Sequence, residues 1–166
     1  MAECAFGIEI SEDRLRCAIV KAWRDDSGLV AVKIVWHGPP PVAATVMDAL
    51  YMSDEPVDVA LDPRSQSATL DRQLGEVGVA VKRLGAEDVA VAHGEFMDMA
   101  GTGLLRHFNQ PELTAAVRGA QQRPLAGARA LERRVVTEQA PLAASEFAVW
   151  ALVRWEEVSQ PGAWNI

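Results

Sequence analysis

Three carboxylates of this 166-residue chain lie where their chemistry deserves a reason. Glu9 falls inside an apolar run, between Ile8 and Ile10, where a charge loses its water unless something compensates. Strand alternation equally lets it lie on a solvated face. Asp62 ends the run Val57-Asp-Val-Ala-Leu61 ahead of Pro63, at the C-terminal end of an expected parallel strand, where open sheets place ligands. An Asp-Pro pair also suits an ordinary turn. Glu138 follows Thr137 at the expected start of the last helix, where an acid also interacts with the helix dipole. Brought to one edge of a sheet, the three make an oxygen-only cage of the kind that hard ions such as Mg²⁺ or Mn²⁺ take. Two such ions about 4 Å apart would activate a water and stabilise the leaving oxygen of a phosphodiester.

Other chemistries lack their residues. Neither a G-x-x-x-x-G-K-[ST] nor a G-x-G-x-x-G loop follows a strand, so ATP hydrolysis by these residues is not expected. No G-x-S-x-G elbow occurs, and His37, His93 and His107 stand in unrelated contexts. No His or Cys spacing suits zinc, and Cys4 and Cys17 read as small buried hydrophobes in a reducing compartment.

The elements that must position the acids follow from periodicity. Ala5–Ile10, Leu15–Trp23 and Leu29–Trp36 read as strands, and the polar turns at 11–14 and 24–28 fold them into an antiparallel meander. Gly38 to Pro41 breaks the pattern, and apolar spacing over 42–53 predicts a helix. A strand follows over 57–61, then a helix over 67–75, a strand over 77–84 and a helix over 86–100. A short strand or turn over 104–108 leads to a helix over 111–121 with Pro111 in its first turn. A strand over 130–136 and a helix capped by Thr137 and running to about Trp155 complete the pattern, with an irregular tail over 156–166. The expected fold class is α/β: a mixed five- to six-stranded sheet covered by helices on both faces, in a single domain with its core over about 5–155. Trp23, Trp36, Trp150, Trp155 and Trp164 are assigned to the core or an interface.

Composition is that of an ordinary globular domain, with 49% hydrophobic and 23% charged residues. No apolar window is long enough for a membrane span, and the N-terminus does not resemble a secretory signal, so the expectation is a cytoplasmic protein with no membrane partner. The formal net charge of −7 argues against nucleic acid until its distribution is considered. Residues 1–80 hold seven basic and thirteen acidic side chains, whereas residues 101–134 hold six arginines against Glu112 and Glu132. Arg106, Arg118, Arg123, Arg129, Arg133 and Arg134 therefore form a local basic set able to neutralise phosphates, or a solvated face.

Several strings in order carry a resemblance: Phe6-Gly-Ile-Glu-Ile-Ser11, Val59-Ala-Leu-Asp-Pro63, Gly94-Glu-Phe-Met-Asp98 through Leu105-Arg-His107 and Gln110-Pro-Glu-Leu113, Arg123-Pro-Leu125, and Ala140-Pro-Leu-Ala-Ala144 leading to Trp150-Ala-Leu152. Over roughly residues 5–155 the chain resembles the C-terminal nuclease domain of the large terminase subunit of tailed phages, as found in phages and prophages of actinobacteria. The resemblance implies a ribonuclease H-like fold and cleavage of double-stranded DNA with two Mg²⁺ or Mn²⁺ ions during genome packaging, in the host cytoplasm if the chain is phage-encoded. The family's three acidic positions map onto Glu9, Asp62 and Glu138, and His107 stands where the family often has His, an auxiliary or a structural histidine. First and last acids are typically Asp in the family. Glutamate keeps the charge and adds a methylene, about 1.5 Å, in a site of tight tolerance. A packaging ATPase, the small terminase subunit and the portal are the partners so implied. The motor ATPase that precedes such domains has no counterpart in these residues, which implies an excised domain, a separately encoded subunit or a descendant with another use. Two alternatives stay open: a weakly active or inactive docking or regulatory module of a packaging complex, and a nuclease for RNA–DNA hybrids or branched junctions.

Overall fold

Strands β1 (Cys4–Ile10), β2 (Cys17–Arg24) and β3 (Val30–Gly38) form the expected antiparallel meander in a computed structural model that describes residues 3–159. A single 3-10 turn at 40–42 leads into α1 (Ala43–Asp54), which carries the chain back to β4 (Asp58–Leu61), parallel to β1. Then come α2 (Ala68–Glu76), β5 (Lys82–Arg83), α3 (Ala86–Gly101), β6 (Leu105–Arg106) and α4 (Pro111–Arg118). A hairpin of β7 (Gln121–Leu125) and β8 (Ala128–Glu132) precedes α5 (Ala140–Ser159). The sheet is six-stranded and mixed, in the order β5-β4-β1-β2-β3-β6, with helices on both faces.

Strand alternation divides the core into two layers. Ala5, Ala18, Val20, Val32 and Ala60 face α3, α4 and α5, whereas Phe6, Ile8, Ile19, Val59 and Leu61 face α1 and α2. Strand β1, covered on both sides, is buried along its whole length, which is why it reads as a continuous apolar run rather than an alternating one. Both cysteines are free and buried. Trp150 is buried, Trp23 and Trp36 pack partly buried on the core, and Trp164 and the stretch 160–166 lie outside the described residues.

The structure departs from the expected elements in four places. Of the strand expected over 77–84 only Lys82 and Arg83 pair, because Gly78, at φ +84°, turns the chain before it comes alongside β4. The helix expected over 111–121 stops at Arg118, and Gln121 already belongs to β7. The strand expected over 130–136 begins at Ala128 and ends at Glu132, as the second arm of a hairpin turning at Ala126 and Gly127, both at positive φ. Helix α5 starts at Ala140, with Pro141 in its first turn, so Thr137 and Glu138 precede it in an irregular strap, and it continues past Trp155 to Ser159.

Helix α5 lies directly on β1 at Gly7, where a Cβ would sit 1.9 Å from the carbonyl oxygen of Ala144 and 2.6 Å from the amide nitrogen of Ala148. It is pinned to α3 by a buried pair, His93 Nδ1 to Glu146 Oε1 at 2.8 Å. Burial raises the Glu146 carboxyl above the ordinary range, and the hydrogen bond that His93 donates to Glu146 raises the imidazole.

Two outcomes follow from this packing. Gly7→Ala is expected to cost at least about 3 kcal/mol in urea unfolding, because backbone and not a pliant side chain stands in the way. Gly75→Ala, in α2 with open space around it, is expected to be neutral or slightly stabilising. The His93–Glu146 pair gives a pH dependence. Both groups hold their protons more tightly folded than unfolded, so their contribution is complete below the unfolded values and is lost as pH rises through the folded ones. The stability advantage of the native chain over a His93→Gln, Glu146→Gln double variant should therefore narrow as pH rises from about 4.5, the unfolded carboxyl value, and continue to narrow above about 6.5, the unfolded imidazole value. An advantage that widens over that range contradicts the assignment.

Candidate active site

The pairing register brings the first two acids together. Ala5, Phe6 and Gly7 of β1 lie beside Asp58, Val59 and Ala60 of β4. Extending that register by two residues sets Asp62 beside Glu9, on the α5 side of the sheet with Ala5, Gly7 and Ala60. Both are buried, Glu9 at 1% and Asp62 at 2% exposure.

Compensation for Glu9 comes from the turn after Asp62. The Ser65 hydroxyl donates to Glu9 Oε1 at 2.7 Å, the Ser67 hydroxyl donates to the same oxygen, and the Ile10 N–H approaches it at 3.2 Å. Asp62 shapes that turn by accepting the Arg64 N–H on Oδ1 at 2.9 Å. The remaining oxygens face one guanidinium: Arg133 Nε lies 3.2 Å from Glu9 Oε2, and an Arg133 terminal nitrogen lies 3.1 Å from Asp62 Oδ2. The guanidinium also sits 5.7 Å from the Phe147 ring. Arg133 reaches this place from the strap between β8 and α5 and keeps only 14% of its side chain exposed. Burial raises the Glu9 carboxyl above the ordinary range, against the pull of Arg133 and the two hydroxyls. Burial also opposes the charge on Arg133, but Glu9 and Asp62 outweigh it and its pKa is raised. Glu9 Oε2 and Arg133 Nε are buried and close, yet neither has an aligned hydrogen bond.

Glu138 lies on the same side of the sheet but is held elsewhere. Its Oε2 is 2.7 Å from His37 Nε2. His37 stands opposite Ala18, which stands opposite Glu9, so His37 and Glu9 are two strand spacings apart, roughly 10 Å at the backbone. A β-bulge is responsible for the orientation of His37. Between the pairs Val20↔Ile34 and Ile19↔Trp36 strand β3 carries one extra residue, which turns His37 onto the face that Val32 and Ile34 occupy. Cys17, on the strand between, has its thiol pKa raised by burial and further by both Glu9 and Glu138. Among the described residues no group of three His, Cys, Asp or Glu side chains is assembled closely enough to hold a metal ion.

The expected arginines divide. Arg123, Arg133 and Arg134 line a polar cleft of about 380 Å³, together with Arg64, Ser65 and Glu132. Arg118 and His107 instead line a larger groove of about 940 Å³, whose walls include Phe96, Met97, Leu113 and Val117. Arg106 pairs with Asp25 at 3.3 Å on the edge strand β6, and Arg129 lines neither cavity. His107 follows β6, three strand positions from β1 and so about 14 Å away laterally. It is exposed, accepts the Asn109 N–H, and is not brought to the acid pair. Reading the sequence missed Arg64, Ser65, Ser67 and His37. A signal for the first three was present in the run Asp62-Pro-Arg-Ser-Gln-Ser67, a polar turn placing two hydroxyls and a cation directly after a strand-end acid. The bulge that aims His37 left no comparable mark.

No protein-family model and no curated protein matches the sequence. Solved structures do match. The large terminase of bacteriophage HK97 superposes with a TM-score of 0.73 at 16% identity, over 91% of this chain and 40% of that one. The large terminase nuclease of the thermophilic phage G20c gives 0.69 at 11% identity, over 89% of this chain and 81% of that one, and its magnesium-bound form also gives 0.69. The nuclease domain of the Thermus phage P74-26 large terminase gives 0.60 at 10% identity, over 89% of this chain and 78% of that one. The chain thus spans 40% of the HK97 protein and about four fifths of the isolated nuclease domains. It has the ribonuclease H-like fold of the phage large terminase nuclease domains.

Proposed function

We propose that this chain is a metal-dependent nuclease domain that cleaves double-stranded DNA, as in phage genome packaging, with Glu9, Asp62 and Glu138 as its carboxylates. The observation that carries the reading is the convergence of Glu9 and Asp62, buried side by side at one end of the central strands, beside an arginine-lined cleft. The donors fit a hard divalent cation: both are carboxylates, and Glu9 Oε2 is a buried oxygen with no aligned hydrogen bond. Glu138 would complete the set on leaving His37. When bound, Mg²⁺ or Mn²⁺ ions, two in this reading, supply positive charge at the scissile phosphate and acidify a water. The G20c nuclease has been solved with magnesium and with cobalt, which supports a divalent ion here.

The chain's own groups supply the rest. Ser65, Ser67 and the Ile10 amide fix Glu9 Oε1, so that the other oxygen alone turns toward the guanidinium and the ligand. Arg64, Arg123 and Arg134 present guanidinium groups around the cleft, where they bind backbone phosphates and set a DNA strand over the acids. A packaging ATPase, the small terminase subunit and the portal would be the partners, the nuclease acting beside a separate motor. The bridging Arg133 and the distant Glu138 favour a second reading, in which the fold serves a packaging complex as a docking module without hydrolysis.

Supercoiled plasmid incubated with the purified chain in Mn²⁺, Mg²⁺ or chelator separates the two. Nicking is expected with metal only, reduced at least about a hundredfold in Glu9→Gln and in Asp62→Asn. Nicking that persists in both variants removes the catalytic assignment, and no nicking with any metal favours the docking module. For DNA binding, Arg64→Ala and Arg134→Ala should each lower the slope of log affinity against log salt by about 1.

A further inference from the structure

The Glu9–Asp62 pair already has a cation, and it is part of the chain. Two carboxylates, each almost wholly buried, share the buried guanidinium of Arg133, which approaches one oxygen of each, while the half-exposed Arg64 lies 3.4 Å from the other oxygen of Asp62. Taking two like charges out of water without a counter-charge is prohibitive, so a folded chain without metal needs something positive in that place. Arg133 meets the need incompletely. Its one positive charge is shared between two acids, the half-exposed Arg64 reaches Asp62 alone, and Arg133 Nε and Glu9 Oε2 are close without an aligned hydrogen bond. One divalent ion would balance both carboxylates, but the guanidinium and such an ion would have to approach the same oxygens, Glu9 Oε2 and Asp62 Oδ2.

We propose that Arg133 is the resident counter-ion of the Glu9–Asp62 pair, and that the guanidinium and a divalent cation exclude each other there. The inference rests on the metal-dependent reading of the site and adds what that reading lacks, an account of what holds the acids together before metal arrives. It also connects the two odd features of the site. Arg133 and Glu138 belong to the same irregular strap over 133–139, between β8 and α5. In this structure the strap sends its cation into the site and leaves its carboxylate on His37. Withdrawal of Arg133 moves the segment whose other end has to bring in Glu138. Arg133 is in this sense a positioning residue: it keeps the acids paired in the absence of metal and sets the threshold at which metal enters. Arg134, the next residue, pairs with Glu12 at 3.4 Å at the mouth of the cleft, among the other arginines available to a withdrawn strap for phosphate contact.

The test compares the 166-residue chain with its Arg133→Gln and Arg133→Lys variants. Calorimetric titration with MnCl₂ is expected to show at least tenfold tighter binding in Arg133→Gln than in the native chain, with Arg133→Lys between them. Without metal Arg133→Gln should melt below the native chain, and saturating Mn²⁺ should close that gap, which loss of a merely structural contact would not produce. Should Arg133→Gln not fold, nitrogen-15 spectra of the native chain carry the test. The Arg133 Nε–H resonance, identified by its absence in Arg133→Lys, should lose its protection from solvent exchange as Mg²⁺ is added. Equal Mn²⁺ affinity in the native chain and Arg133→Gln, or an Nε–H that stays protected at saturating Mg²⁺, overturns the exclusion while leaving the nuclease reading intact. No Mn²⁺ binding by either protein overturns both.

Discussion

A carboxylate withdrawn from water at the end of the central strand is the constraint that organises this end of the molecule. Glu9 keeps 1% of its surface and Asp62, beside it, 2%. Burying charges in this way seldom stabilises a fold compared with an apolar pair of the same size, because desolvation consumes most of the Coulombic gain. The chain nevertheless commits two serine hydroxyls, a backbone amide and a buried arginine to keeping the two acids where they are. An arrangement so costly, and supported from so many elements, is more readily understood as a site than as a structural device. In that respect it differs from the His93–Glu146 pair, which has Gln122 on the other ring nitrogen of His93 and joins two helices that also meet through apolar packing.

The fold delivers the acids by register rather than by local sequence. Parallel pairing of β1 with β4 fixes a constant offset, so once Gly7 lies beside Ala60, the placement of Asp62 near Glu9 follows. Gly7 lets α5 descend onto the strand, and that descent sets how far the strap before the helix reaches. On the other side, the bulge in β3 reverses the facing of His37 and gives Glu138 a partner. Each device acts on the same face of the sheet, and each depends on a single residue position.

Much of this could be read from the residues, and what could not has a physical reason. The three meander strands and the long helices declared themselves because their apolar spacing is sustained over a turn or more. The pairing of Glu9 with Asp62 was legible because a charged residue inside an apolar strand and an acid at a strand end are each anomalous. Strands β5 and β6, with two paired residues each, are too short to show any period. The β7–β8 hairpin is hidden because Gln121-Gln-Arg-Pro-Leu125 is mostly exposed and carries no apolar alternation, so nothing in the residues marks the end of the helix before it. Burial of Arg133 left no local trace at all. Its neighbours Glu132 and Arg134 are as charged as it is, and only the tertiary arrangement distinguishes the one that turns inward.

At identities of 10 to 16% the likeness to terminase nucleases resides in strand order and helix placement, not in residue identity, so details of the site must be argued from this chain. The glutamate at position 9 shows how far that argument goes. Where the resemblance leads one to expect aspartate, the additional methylene extends the carboxylate by about 1.5 Å. The hydroxyls of Ser65 and Ser67 meet Glu9 Oε1 within hydrogen-bond reach. An aspartate on the same backbone would fall short of them by more than the width of a normal hydrogen-bond distance range. The longer acid and the serine-bearing turn therefore belong together. They hold one oxygen of Glu9 still and leave the second facing Arg133.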